Sequence, residues 1–150
     1  MIIRPYEDKD VETVLGVWLN ASKIAHPFLK KDFIENETIN MRTLYLPNAE
    51  TWVAEADGVV VGFLSLIGNE VGGLFVDPKY HGLRFGKTLM DKAVALRGTL
   101  ELDVFEKNPI GRRFYARYGF LEDHEYDHEA TSERVIRLTY APGDLATSAG

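Results

Sequence analysis

Cysteine is absent from all 150 residues. That excludes a disulfide framework, a thiolate metal site and a covalent intermediate on cysteine, so any group transfer has to run another way. No apolar stretch is long enough for a signal peptide or a membrane span, and the start, Met1-Ile2-Ile3-Arg4-Pro5, carries no leader features. A cytoplasmic protein without a membrane partner is therefore the expectation. An excess of positive charge is lacking too: 17 Lys and Arg stand against 23 Asp and Glu, a net charge of -6. Phosphate neutralisation needs a basic surface, so no nucleic-acid partner is expected, although a local basic patch is still allowed. What is present, 45% hydrophobic and 27% charged residues without low complexity, is a soluble globular composition. A chain of this length makes one domain that buries roughly 70% of its unfolded surface.

Ile2 to Arg4 reads as a short edge strand, and Asp8 as an N-cap for a helix with Val11, Val14, Leu15, Trp18 and Leu19 on one face. Phe33, Ile34, Met41, Leu44 and Leu46 predict a less regular second helix ending before Pro47. Thr51 to Ala56 and Val59 to Ile67 flank Asp57-Gly58, a two-residue hairpin signal for an antiparallel pair. Val71 to Val76 is another strand, stopped by Asp77-Pro78. A helix from Phe85 ends at Gly98, and Leu100, Leu102 and Val104 alternate with Glu101 and Asp103 as a strand, parallel to the Val71 strand through a crossover. Asn108 caps and Pro109 opens a last helix that Gly119 stops, before strands at Phe120 to Tyr126 and Val135 to Tyr140. Residues 1–141 form the expected domain, and 142–150 a loose tail.

Between the Val71 strand and the next helix lies Leu74-Phe75-Val76-Asp77-Pro78-Lys79-Tyr80-His81-Gly82-Leu83-Arg84-Phe85-Gly86-Lys87. Glycine lets backbone approach a ligand, and the free amides at a helix start favour phosphate. Lys79, Arg84 and Lys87 place positive charge on the same turn of an acidic protein. Gly82 to Thr88 also approaches the glycine-rich nucleotide loop ending in Gly-Lys-Thr, but is one residue short and follows a hairpin, which leaves a nucleotide-binding protein as the weaker alternative.

This loop, with the order of elements, resembles the GNAT superfamily of acetyl-CoA-dependent N-acetyltransferases over roughly residues 1–140. The family loop reads Arg/Gln-x-x-Gly-x-Gly/Ala; Gly82 and Gly86 fit, whereas His81 replaces the first residue and Arg84 the middle glycine. The Arg84 amide would still serve if its backbone were regular. A second, more specific match is Asn108-Pro109-Ile110-Gly111-Arg112-Arg113-Phe114-Tyr115-Ala116-Arg117-Tyr118-Gly119-Phe120, which resembles the family's segment of Asn, a small residue, an aromatic pair and Gly-Phe. Read without the family, Asn108 is a good helix cap and Phe114, Tyr115 and Tyr118 are core aromatics.

The resemblance implies an α/β (α+β) fold: a mixed, mostly antiparallel sheet with a splayed parallel strand pair, flanked by about four helices. It implies acetyl-CoA as cosubstrate without a metal, and direct transfer of the acetyl group to a primary amine of a small molecule, peptide or protein. Leu74, Phe75, Val76, His81, Gly82, Leu83, Arg84, Phe85, Gly86, Lys87, Asn108 and Tyr115 would bind the coenzyme, an amide of Leu74 or Val76 polarising the thioester carbonyl. Tyr115 would give a proton to the departing thiolate, and Glu70, then His26, then water are the candidate bases. Trp18, His26 and Phe28 would face the amine, unless they simply pack. Many family members pair as dimers, so a homodimer through the final strands is one expectation. A regulatory module that binds acyl-CoA without catalysis is the remaining alternative. Asp123, His124, Asp127 and His128 carry metal-ligand chemistry, but residues four apart on a strand lie roughly 13 Å from each other, too far for one ion. Ser22 and His26 lack the glycine-flanked turn of a serine hydrolase.

Overall fold

Short runs of β-branched and aromatic residues separated by turn signals build a sheet, and two amphipathic stretches cover its faces. In the computed structural model, which describes residues 1–142, the strands are β1 (Ile2–Pro5), β2 (Glu50–Ala56), β3 (Val59–Ile67), β4 (Glu70–Val76), β5 (Leu100–Phe105), β6 (Leu121–Asp127) and β7 (Arg134–Tyr140). The helices are α1 (Val11–Ala25), α2 (Lys31–Asn40), α3 (Leu46–Asn48), α4 (Phe85–Arg97) and α5 (Pro109–Tyr118). Apart from Pro142, the expected tail lies outside the described residues.

The strand order is β1-β2-β3-β4-β5-β7-β6, with β4 and β5 parallel and every other pair antiparallel. Asp57 and Gly58 both have positive φ, 51° and 80°, the geometry a two-residue hairpin needs to follow the strand twist. One core cluster joins Leu64, Leu66, Leu89, Met90, Leu102 and Ile136, with Phe114, Tyr115 and Tyr118 packed on it, so α4 and α5 share a face of the sheet. A second cluster joins Val14, Trp18, Met41, Val53 and Phe63 under α1. Each fully buried leucine of these clusters contributes about 1.5 to 3 kcal/mol. Among the described residues no helix is long and apolar enough to cross a membrane.

Two boundaries differ from the sequence reading. Asp8 does not cap α1; residues Asp8–Asp10 form a 3-10 turn, and buried Asp10 instead accepts from the Glu7 amide (2.8 Å) and from Arg4. The Arg4 guanidinium supplies the stronger partner and holds the Asp10 carboxyl below the usual range. The second helix does not stop before Pro47, but passes through a π-helical turn at Met41–Tyr45 into α3. Pro47 sits at the second position of α3, one residue from its end at Asn48.

Candidate active site

β4 and β5 meet through a single residue pair, Glu70 with Glu101, where the Glu101 amide donates to the Asn69 carbonyl at 3.0 Å. Beyond that pair the two strands part. The β3–β4 register shifts so that Val71 faces Leu66 while Gly73 faces Ser65, which leaves Gly72 as an extra residue. An extra residue reverses which backbone groups face each neighbour. At the end of β4 the Asp77 amide donates to Val61 on β3 at 2.8 Å, so the opposite pole of that peptide, the Val76 carbonyl, turns away from β3 into the gap. Strand alternation turns Leu74 the same way. The gap is thus lined by backbone polar groups that no second strand uses.

The Val76 carbonyl lies 3.0 Å from His81 Nε2, which must carry the proton because a carbonyl only accepts. Gly82 follows with φ 80°, and Arg84 with φ 71° and ψ 9°. The condition set on Arg84, a regular backbone, is not met: Arg84 occupies the left-handed region that the glycine it replaces would take without strain, at a cost of about 1 kcal/mol. α4 starts at Phe85 with no side-chain cap and no acid in its first turn, so its leading amides remain open to an anion. Exposed Lys79, Leu83 and Arg84 surround it. Lys87 leans instead toward Asp91, 3.0 Å away. Gly86 joins the two sequence motifs: a Cβ there would sit 3.2 Å from the Phe114 ring of α5, so the bare glycine lets α4 and α5 approach closely.

Asn108, 7% exposed, caps α5, its Oδ1 accepting from the Gly111 amide at 3.0 Å. That bond fixes the amide's orientation, so the group facing His26 Nε2 at 3.3 Å is the Nδ2 donor. His26 Nε2 therefore accepts and its proton resides on Nδ1. Burial pushes the His26 imidazole down to about 4. Its ring stands edge-on to Phe28 (5.9 Å between centroids) and Phe105 (5.1 Å), and Phe105 also meets His128 at 5.6 Å. The half-buried Tyr115 ring packs on Phe114 and Phe120, and burial pushes its phenol up to about 12, so it keeps its proton at any physiological pH.

The structure thus brings together Leu74, Val76, His81 and the loop to Gly86, and joins Asn108 to His26 and Phe28. Several expected residues stand apart: the side chains of Phe75 and Phe85 pack into the two core clusters, and Lys87 pairs with Asp91. Trp18, 7% exposed, is committed to the core with Val14, Val53 and Phe63. Glu70 lies at the closed end of the gap, about 13 Å along β4 from Leu74. Both its oxygens are taken by Arg137, at 2.6 Å each, and Arg137 also reaches Glu101 at 3.0 Å and Asp103 at 3.2 Å. Sequence reasoning missed Phe105, Arg137 and the bulge at Gly72; Gly72-Gly73 inside a strand was the available signal for the last.

The open parallel pair presents backbone groups on its inner edge, and beyond the glycine turn the uncapped start of α4 leaves amides free for an anion. A family model described as acetyltransferase (GNAT) domain matches residues 47–122. The chain is 33% identical over 120 residues to the peptidyl-lysine N-acetyltransferase YiaC of Escherichia coli, spanning 79% of this chain and 82% of that one. It is 32% identical over 119 residues to the peptidyl-lysine N-acetyltransferase YjaB of Salmonella typhimurium, spanning 79% and 81%. The solution structure of apo-form YjaB from Escherichia coli superposes with a TM-score of 0.83 at 27% identity, over 93% of this chain and 98% of that one. The chain belongs to the GNAT family of acetyltransferases and is an acyltransferase acting on amines.

Proposed function

We propose that residues 1–141 form one cytoplasmic N-acetyltransferase domain that passes the acetyl group of acetyl-CoA directly to the side-chain amine of a lysine in a peptide or protein. The observation that carries this reading is the parting of β4 from β5 after one residue pair, which leaves the Leu74 and Val76 backbone facing a gap. In that gap the coenzyme's acyl arm extends a strand edge, and an amide of Leu74 or Val76 stabilises the tetrahedral oxyanion, an effect worth about 3 kcal/mol in comparable sites. The open amides of α4 take the pyrophosphate, with Arg84 and Lys79 alongside. Asn108 and Tyr115 meet the arm from α5, and Tyr115 protonates the leaving thiolate. That both relatives are peptidyl-lysine N-acetyltransferases supports lysine as the acceptor.

The base is solvent. Glu70 is held by Arg137 at the wrong end of β4, and His26 has its Nε2 lone pair in the bond from Asn108. His26 and Phe28 then form the wall against which the acceptor's alkyl chain packs. Titration calorimetry with acetyl-CoA, followed by release of free thiol on adding a lysine peptide with a blocked amino terminus, tests the reading. Micromolar binding with peptide-dependent thiol release is expected; no heat at millimolar acetyl-CoA would overturn it.

A further inference from the structure

Among the described residues four polar side chains are buried: Asp10, Ser22, Thr51 and Asn108. Asp10 is held by Arg4, Thr51 by Ser65 at 2.9 Å, and Asn108 by Gly111 and His26. Ser22, 3% exposed, has no hydrogen-bond partner for its hydroxyl among the described residues. A buried hydroxyl left without a partner is unfavourable compared with a methyl group of similar size, so a fold has no reason of its own to place one there.

The position of Ser22 tells what the hydroxyl faces. Two residues earlier, Asn20 Nδ2 reaches Asp77, the residue after β4, at 3.3 Å. Four residues later, the His26 ring meets Phe105, the last residue of β5, and Asn108 beyond it. From Asn20 to His26 the helix rises about 9 Å, nearly twice the roughly 4.8 Å between paired strands. The last turns of α1 therefore bridge the mouth where β4 and β5 have parted. Helical spacing sets Ser22 on the same face as His26 one turn on and as Trp18, committed to the core, one turn back. Its hydroxyl lies on the sheet side of α1, and without ligand it is closed to solvent, so the arm reaches it only as the mouth opens.

We infer that the Ser22 hydroxyl donates a hydrogen bond to a carbonyl oxygen of the acyl arm of acetyl-CoA lying between β4 and β5; this rests on the coenzyme reading given above. The arm offers such oxygens in its pantetheine amides and in its thioester. Leu74 and Val76 present backbone groups from the strand, and Ser22 supplies a side-chain donor from the helix that closes the other side. The ligand completes a hydrogen bond that the protein alone leaves unmade.

The test measures melting temperature without ligand, and calorimetric affinity for acetyl-CoA and for free CoA, on the wild-type protein and on Ser22→Ala. The variant is expected to be at least as stable as the wild type and to bind acetyl-CoA about three- to tenfold more weakly. A loss seen with acetyl-CoA alone assigns the bond to the thioester carbonyl, and an equal loss with both ligands assigns it to a pantetheine amide. Unchanged affinity for both ligands would overturn the inference. So would a lower melting temperature without ligand, because the hydroxyl would then hold the fold. Failure of the wild type to bind acetyl-CoA would instead strike the coenzyme reading itself.

Discussion

Replacing Asn108 by aspartate should convert His26 from a neutral wall residue into a titrating one. In the wild-type protein burial has moved the imidazole from its ordinary 6.5 to about 4, which corresponds to about 3 kcal/mol against the charged form. Aspartate keeps the bond to the Gly111 amide and suits the α5 amino terminus, but turns a carboxylate oxygen toward Nε2 where an amide donor stood. Two opposite charges at 3.3 Å attract by about 5 kcal/mol at an effective dielectric of 20. Attraction exceeds the burial penalty, so His26 in the variant should titrate at or above 6.5. The sign for stability follows. In the wild type the unfolded chain takes up a proton below about pH 6.5 that folded His26 refuses until about 4, so this residue removes stability as pH falls through that window. In Asn108→Asp the folded pKa lies above the unfolded one, and His26 instead adds stability on acidification. Imidazole proton resonances followed from pH 3.5 to 8, with urea melts at pH 5 and 7, measure both effects. A His26 that still titrates near 4 in the variant would refute the contact between these two side chains.

Tyr115→Phe should lower kcat at least tenfold and leave acetyl-CoA affinity largely intact in calorimetry; equal turnover would remove Tyr115 as the acid. Arg84→Gly should raise the melting temperature by about 2 to 4 °C, as relief of roughly 1 kcal/mol of left-handed strain predicts, while making acetyl-CoA binding weaker and less salt-dependent through loss of the guanidinium. Arg137→Gln leaves Glu70, Glu101 and Asp103 facing one another without a cation. It should cost about 1 to 2 kcal/mol after solvent screening, and the loss in urea melts should shrink as salt is added.

The strands, the Asp57-Gly58 hairpin, the helix stops at Gly98 and Gly119 and the Asn108 cap were legible because each depends on local chemistry: residue alternation, a turn that needs positive φ, or a side chain reaching its own backbone. The exchange at the sheet's far side, where β7 enters between β5 and β6, was not, since no local signal orders those strands. The loop was legible as a phosphate turn, but the left-handed backbone of Arg84 was not, because arginine gives no sign of it. Glu70 read as a free carboxylate since its partner, Arg137, lies 67 residues away in sequence. Ser22 read as an ordinary helix residue for the same reason: what marks it is a missing partner, and only the packed structure shows that.

A site with Glu70 engaged and His26 neutral has a particular pH signature. A lysine amine of pKa about 10.4 is neutral in about one molecule in two thousand at pH 7, a deficit of about 4 to 5 kcal/mol that a positioned base would share. With solvent as the base, kcat/KM should rise with pH in step with the neutral fraction of the acceptor, close to tenfold per unit between pH 7 and 9. It should show no inflection near 6.5, because His26 stays neutral down to about 4. Nor should it fall before the protein denatures in alkali, because Tyr115 keeps its proton to about 12. Rates on a lysine peptide across that range, measured by thiol release at saturating acetyl-CoA, decide the matter. A plateau reached by pH 7 to 8 would mean that some group in the protein accepts the proton after all, and Glu70→Gln and His26→Gln would then show which.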